Sequence, residues 1–201
     1  MKNYGFIEVG TSDFSSLTSM KKYKDQLGLS VEPIKKLLDR LPSRDNHTKV
    51  CCAIDVESGE KNFYKYKDEY LDIPARNGTF HDYERGMSML ETSDNLRQIL
   101  QSVRKDRFEL IKVKTMTWDD LIDLYDIGGV DYLKIDTEGM DAHLLTSLRK
   151  TTLRPNLIKF EYCHHSKQTV EKLLELWSDY DITKKTNNDI YLSKTSPRIS
   201  I

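Results

Sequence analysis

Apolar and polar positions fall along this chain in short blocks whose period switches between strand-like and helix-like. Phe6, Ile7 and Val9 form an apolar run interrupted by Glu8, as expected of a strand covered on both faces in a parallel sheet. Gly10 then allows a tight turn, and Thr11, Ser12 and Asp13 are all good N-caps. The pattern predicts a strand, a glycine turn and a helix over 15–24. A second apolar stretch, 27–32, predicts another strand, and Pro33 stands where it can open a helix over 34–41 with Leu37, Leu38 and Leu41 on its apolar face. Pro42 to Asp45 reads as a turn and 50–54 as a third strand.

Gly59 marks a turn into 61–66, where Phe63 alternates with lysines and tyrosines like a half-exposed strand. Residues 68–95 show no period. So long an irregular stretch predicts a binding loop or lid, with His81, Tyr83 and Met87 to Met89 in it. Strand alternation resumes over 108–116. Thr117, with Asp120 three residues on, predicts a capped helix carrying Trp118, Leu121, Ile122, Leu124 and Tyr125, ended by Gly128-Gly129. Strands over 130–135 and 157–162 alternate with helices over 139–148 and 169–177. Residues 180–184 and 190–194, around Asn187-Asn188, predict an antiparallel hairpin. Strands alternating with helices imply a parallel sheet with right-handed crossovers. The expectation is a single α/β domain over 1–201, mostly parallel, with helices on both faces and a closing antiparallel hairpin.

Composition narrows the function more than the fold. The 201 residues carry a net charge of −1, without the basic excess of a nucleic-acid or acidic-membrane binder. No apolar run approaches the ~20 residues of a membrane helix, and no signal-peptide pattern opens the chain. Cys51, Cys52 and Cys163 are odd in number, which predicts reduced thiols and a cytoplasmic protein rather than a disulfide framework.

Three carboxylates recur at strand ends: Glu8, Glu32 and Asp136. Glu32 follows Gly10 by 22 residues, the spacing at which an acid in an open α/β sheet accepts hydrogen bonds from a ribose. A surface Glu capping the next helix is the plainer alternative. A dinucleotide site needs further glycines, and only Gly10 is present; Asp13 would also repel a diphosphate. A zwitterionic ligand tolerates both acids. His164 and His165 follow the 157–162 strand and are candidates for a general base. Lys134 is either an ion-pair partner of Asp136 or Glu161, or catalytic. Asp136, Glu138 and Glu161 offer hard oxygen ligands of the kind magnesium takes, but no ligand spacing defines a site and no metal is expected.

The most specific segment is V-D-Y-L-K-I-D-T-E-G-M-D, from Val130 to Asp141. With F-I-E-V-G-T-S-D-F, L-S-V-E-P and T-W-D-D-L it resembles the FkbM family of S-adenosylmethionine-dependent O-methyltransferases, from about Phe6 to Tyr162. Ser12 and Phe14 depart from the usual family residues. The resemblance implies a Rossmann-like class I methyltransferase with a seven-stranded sheet. It implies S-adenosylmethionine held by Glu8, Gly10, Thr11, Ser12, Asp13, Glu32, Pro33, Ala53, Ile54 and Asp136. Asp136, Glu138 and His164 form the expected catalytic set, acting on a carbohydrate hydroxyl. The first strand close to the start of the chain and the short tail after the last one lead to the expectation of an excised module of a longer enzyme, and the resemblance implies glycosyltransferase domains as its neighbours. The rival readings are a non-catalytic methyltransferase-fold binding module and a nicotinamide-dependent oxidoreductase.

Overall fold

The computed structural model describes residues 1–13, 17–18, 20–71, 88–96, 101 and 105–195. Phe14, most of the expected lid with His81, Tyr83 and Met87, and the start of the helix expected over 15–24 lie outside the described residues. Strand β1 (Lys2–Val9) is followed by a single 3-10 turn at Lys21–Tyr23, then β2 (Gly28–Val31) and the one-turn helix α1 (Lys35–Leu38). Next come β3 (His47–Val50), β4 (Ala53–Ile54), β5 (Gly59–Tyr66), α2 (Asp68–Leu71), β6 (Met89–Leu90) and β7 (Phe108–Met116). The chain ends with α3 (Trp118–Tyr125), β8 (Ile127–Ile135), α4 (Asp141–Leu148), β9 (Leu157–Glu161), α5 (Lys167–Leu176), β10 (Tyr180–Lys185) and β11 (Asp189–Lys194). No described helix is long and apolar enough to cross a membrane.

Seven strands form the main sheet in the order β10-β11-β9-β8-β1-β2-β3. It is parallel except where β11 inserts antiparallel between β9 and β10, as the closing hairpin predicted. β1 lies inside the sheet, between β8 and β2, with Ile7 and Val9 buried on one side and Phe6 and Glu8 on the other. On the first side Ile7, Leu133 and Ile158 share a core with Leu144 and Leu148 of α4 and Leu173 of α5. The indole of Trp118 donates to the Leu144 carbonyl at 2.9 Å and locks α3 to α4. On the second side Phe6, Tyr132, Leu17 and Tyr23 form a smaller aromatic cluster. Gly28 makes room for it, since a Cβ there would lie 2.3 Å from the Phe6 ring.

Three expectations are corrected. The apolar run 50–54 is two strands: β3 stops at Val50, and Ala53–Ile54 turn away to pair with Thr115–Met116 of β7. They join a second sheet, β4-β7-β5-β6. Gly128-Gly129 do not end α3. Asp126 does, in a left-handed conformation at φ 55°. Both glycines lie in β8, where a Cβ on Gly129 would come 2.6 Å from the Asn3 amide oxygen, so close strand approach explains them. Finally, the described part of 15–24 is turn and 3-10 rather than α-helix. The Thr117 capping box is present as predicted, with the Thr117 side chain accepting from the Asp120 N–H.

Candidate functional site

The carboxyl ends of β1, β2, β8 and β9 open onto a cavity of about 400 Å³, the usual ligand position in an open α/β sheet. Gly10 makes its floor possible. Its φ is +79°, and a Cβ would fall 1.8 Å from the Asp136 carbonyl oxygen. No side chain fits between the β1 and β8 ends there. Gly10 N–H donates to Val31 (2.9 Å) and Asp136 N–H to Val9 (3.0 Å), so three strand ends are stitched at one point.

One half of the cavity is apolar. Val31, Leu37, Ala53, Ile54, Phe63, Leu90 and Met140 line it, and Glu32 closes it. The Glu32 carboxylate accepts from the Ser12 N–H at 2.8 Å and the Ile34 N–H at 2.9 Å. Burial raises its pKa to about 7 against the opposing pull of those two N–H groups. An ionised carboxylate has about four acceptor positions, so two N–H bonds leave room for hydroxyl donors. The buried hydroxyls of Ser12 and Ser88 also border this cavity and have no hydrogen-bond partner among the described residues. Apolar walls, an acceptor and two unused hydroxyls fit a nucleoside-like ligand of the S-adenosylmethionine type.

The other half is charged. Asp136, Glu138 and Glu161 place carboxylate oxygens within 4.8 Å of one another. Lys134 stands behind Asp136 at 3.4 Å and His164 contacts Glu161 at 3.1 Å and Glu138 at 3.4 Å. Burial works to lower the His164 pKa, but its two carboxylate partners raise it to about 10. The imidazole is therefore a cation at neutral pH. Burial raises Glu138 to about 7, with the His164 bond opposing and Glu161 and Asp136 adding to the rise. Asp136 is also raised, first by burial and in spite of Lys134, although 34% of its side chain still faces the cavity. Glu161 is lowered, its burial outweighed by His164. The three carboxylates are hard ligands within reach of one cation, but Lys134 and His164 already set two positive charges against them.

Of the residues expected from the sequence, Gly10, Ser12, Glu32, Pro33, Ala53, Ile54, Asp136 and Glu138 line the cavity. Glu8, Thr11 and Asp13 do not. Glu8 is fully buried and bonded to Lys134 at 2.9 Å, because the two are in-register neighbours on β1 and β8. The Thr11 hydroxyl turns to the Ser12 carbonyl, and Asp13 pairs with Arg40 at 3.1 Å. His164 stands behind the wall, against its carboxylates. His165 points elsewhere: it bonds Asp94 at 2.8 Å and accepts the Ala142 N–H at 3.2 Å, at the start of α4.

Sequence reading missed Lys159, Asn188 and Asp189, which complete the charged wall, and the contacts of residues 93–95 with the Glu138 loop. Asn188 sits in the hairpin turn and Asp189 opens β11 directly after it, where polar residues are ordinary turn formers, so no local signal marks them.

A family model described as the methyltransferase FkbM domain matches residues 3–182. A crystal structure of a fibrillarin/Nop5p complex superposes at a TM-score of 0.45 with 11% identity, covering 96% of this chain and 71% of that one. No curated protein matches the chain in sequence. The family match runs from β1 into the terminal hairpin and takes in every cavity wall except the hairpin turn; the chain belongs to the FkbM family of methyltransferase domains.

Proposed function

We propose that the chain transfers a methyl group from S-adenosylmethionine to an oxygen acceptor, a sugar hydroxyl. The observation that carries this reading is the two-part cavity: an apolar slot closed by Glu32, continuous with the Asp136, Glu138 and Glu161 carboxylates. Glu32 would hold the ribose hydroxyls, Ala53, Ile54 and Leu37 would flank the base, and Gly10 and Ser12 would approach the amino-acid end. When bound, the cofactor supplies an electrophilic methyl carbon on a sulfonium. The carboxylates favour that positive charge and accept hydrogen bonds from neighbouring hydroxyls of a sugar.

Glu138 is the group assigned to take the acceptor proton. A general base works best with a pKa near the operating pH, and Glu138 lies at about 7. His164, held as imidazolium between Glu138 and Glu161, is a charge partner rather than the base. Alignment of acceptor and donor supplies the larger part of the rate. The net charge of −1 fits an uncharged acceptor that needs no electrostatic steering. The three cysteines are free, consistent with work in the cytoplasm beside glycosyltransferase activities that build the acceptor.

The test has two stages. S-adenosylhomocysteine is expected to raise the melting temperature and NAD to leave it unchanged; the reverse would favour an oxidoreductase, and no response to either a non-catalytic module. Labelled methyl donor is then offered with short oligosaccharides, a catechol, a peptide and RNA. Label in the catechol, peptide or RNA with every sugar untouched defeats the sugar assignment.

A further inference from the structure

Residues 88–96 run as a strap from the second sheet to the loop that carries Glu138. Leu90 and Met89 pair with Phe63 and Tyr64 of β5, so the strap arrives anchored. It then makes three successive bonds to the loop. Ser93 Oγ donates to the Glu138 carbonyl at 2.5 Å, Asp94 N–H to the Gly139 carbonyl at 3.2 Å, and Asn95 Nδ2 to Glu138 Oε2 at 3.4 Å. The fit is close enough that a Cβ on Gly139 would lie 2.8 Å from Ser93 Oγ and 2.9 Å from the Asn95 nitrogen.

Glu138 needs such a hold. Its φ is 55°, a left-handed conformation that a residue with a Cβ keeps only when its surroundings impose it. The strap also reaches the loop that carries His164 and His165. Asp94 binds His165 Nδ1 at 2.8 Å, and His165 is the neighbour of His164. Asn95 is 2% exposed, so its amide has little solvent to bond in place of the Glu138 carboxylate.

We infer that Asn95 is a positioning residue for Glu138: the strap aims the Glu138 carboxylate at the cavity, and the Asn95 amide favours its ionised form by donating to it. This rests on the reading of Glu138 as the base. The other titratable groups around Glu138 are His164, Glu161 and Asp136, with Lys134 behind Asp136, Asp141 bonded to Thr137, and Asp94 of the strap with its partners His143 and His165. Asn95 differs from all of them in being a neutral donor, so changing it alters the donor without removing a charge.

The test is a carboxyl-carbon NMR titration of the full chain labelled at glutamate Cδ, with Glu138→Gln to assign the Glu138 resonance. Removing the donor in Asn95→Ala is expected to raise the Glu138 midpoint by about half a unit. Asn95→Asp keeps the shape but sets a carboxylate against Glu138, and should raise the midpoint further. That order, Asp above Ala above wild type, is not expected from a merely structural role. Midpoints in both variants within about 0.2 units of wild type would overturn the inference. The titration uses neither cofactor nor acceptor, so it answers separately from catalysis. If Glu138→Gln methylates the oligosaccharide panel as fast as wild type, the base assignment fails whatever the titration shows.

Discussion

Replacing Lys134, at the cavity's charged end, with methionine should be among the most damaging single changes in the chain. Lys134 Nζ lies 2.9 Å from Glu8 Oε1, with the Glu8 side chain 0% and the Lys134 side chain 5% exposed. At an effective dielectric of about 20 their attraction is worth roughly 6 kcal/mol, set against a desolvation penalty of several kcal/mol for each ion. The pair is therefore close to neutral overall, yet removing Lys134 takes from the fully buried Glu8 the cation that faces it in register across β1 and β8. Lys134→Met is expected to cost about 3–5 kcal/mol of unfolding free energy. Glu8→Met alone leaves Lys134 with Asp136 at 3.4 Å, and should cost less. The double variant removes both charges and should return to within about 1 kcal/mol of wild type. Urea denaturation followed by Trp118 and Trp177 fluorescence gives all four free energies and hence the coupling between the sites. A cost below about 1 kcal/mol for Lys134→Met, or a double variant as unstable as the summed singles, would refute the argument.

Three further outcomes are expected. The affinity for S-adenosylhomocysteine, measured by calorimetry, should fall as pH drops from about 8 to 6, because burial raises Glu32 to about 7 and its ionised form is the better acceptor; Glu32→Gln should flatten the profile, and a flat wild-type profile removes Glu32 from the site. In the ligand-free chain the same shift makes the stability contribution of Glu32 fully present below its ordinary value of 4.5 and lost as pH rises through about 7. Gly10→Ala should destabilise by about 2 kcal/mol or more from left-handed strain alone, with the Asp136 carbonyl 1.8 Å from the new Cβ; an unchanged urea midpoint would show that the turn can relax. The His164 ring should stay imidazolium through neutral pH, its stabilising contribution present below 6.5 and lost as pH rises through about 10; nitrogen-15 shifts of a neutral ring at pH 7.5 would show that its pairing with Glu138 and Glu161 does not form in solution.

Local pattern was enough for much of this protein. The apolar run at Phe6 to Val9, the Gly10 turn and the terminal hairpin each follow from period and turn chemistry, and the alternation of strands with helices carries the parallel sheet. Thr117 and Asp120 cap α3 because a threonine followed three residues later by an acid satisfies the first helical N–H groups wherever it occurs. Glu32 and Asp136 were legible as cavity residues because a carboxylate ending an apolar strand needs a polar neighbour.

What pattern left open depended on register. Whether Glu8 faces a ligand or a partner is decided by Lys134, 126 residues away, which arrives beside it only once β1 and β8 are paired. The run 50–54 looked like one strand because apolar character does not say where a chain changes sheets; the partner strand β7 decides that. The charge state of His164 depends on two acids that folding brings to it from β9 and the Glu138 loop. Likewise nothing near Asn95 in sequence points to Glu138, 43 residues on. Sequence determined most of the elements, the Thr117 cap and the acids at the strand ends. Tertiary structure alone chose each charge's partner, because burial and pairing energies depend on neighbours that the chain meets only when folded.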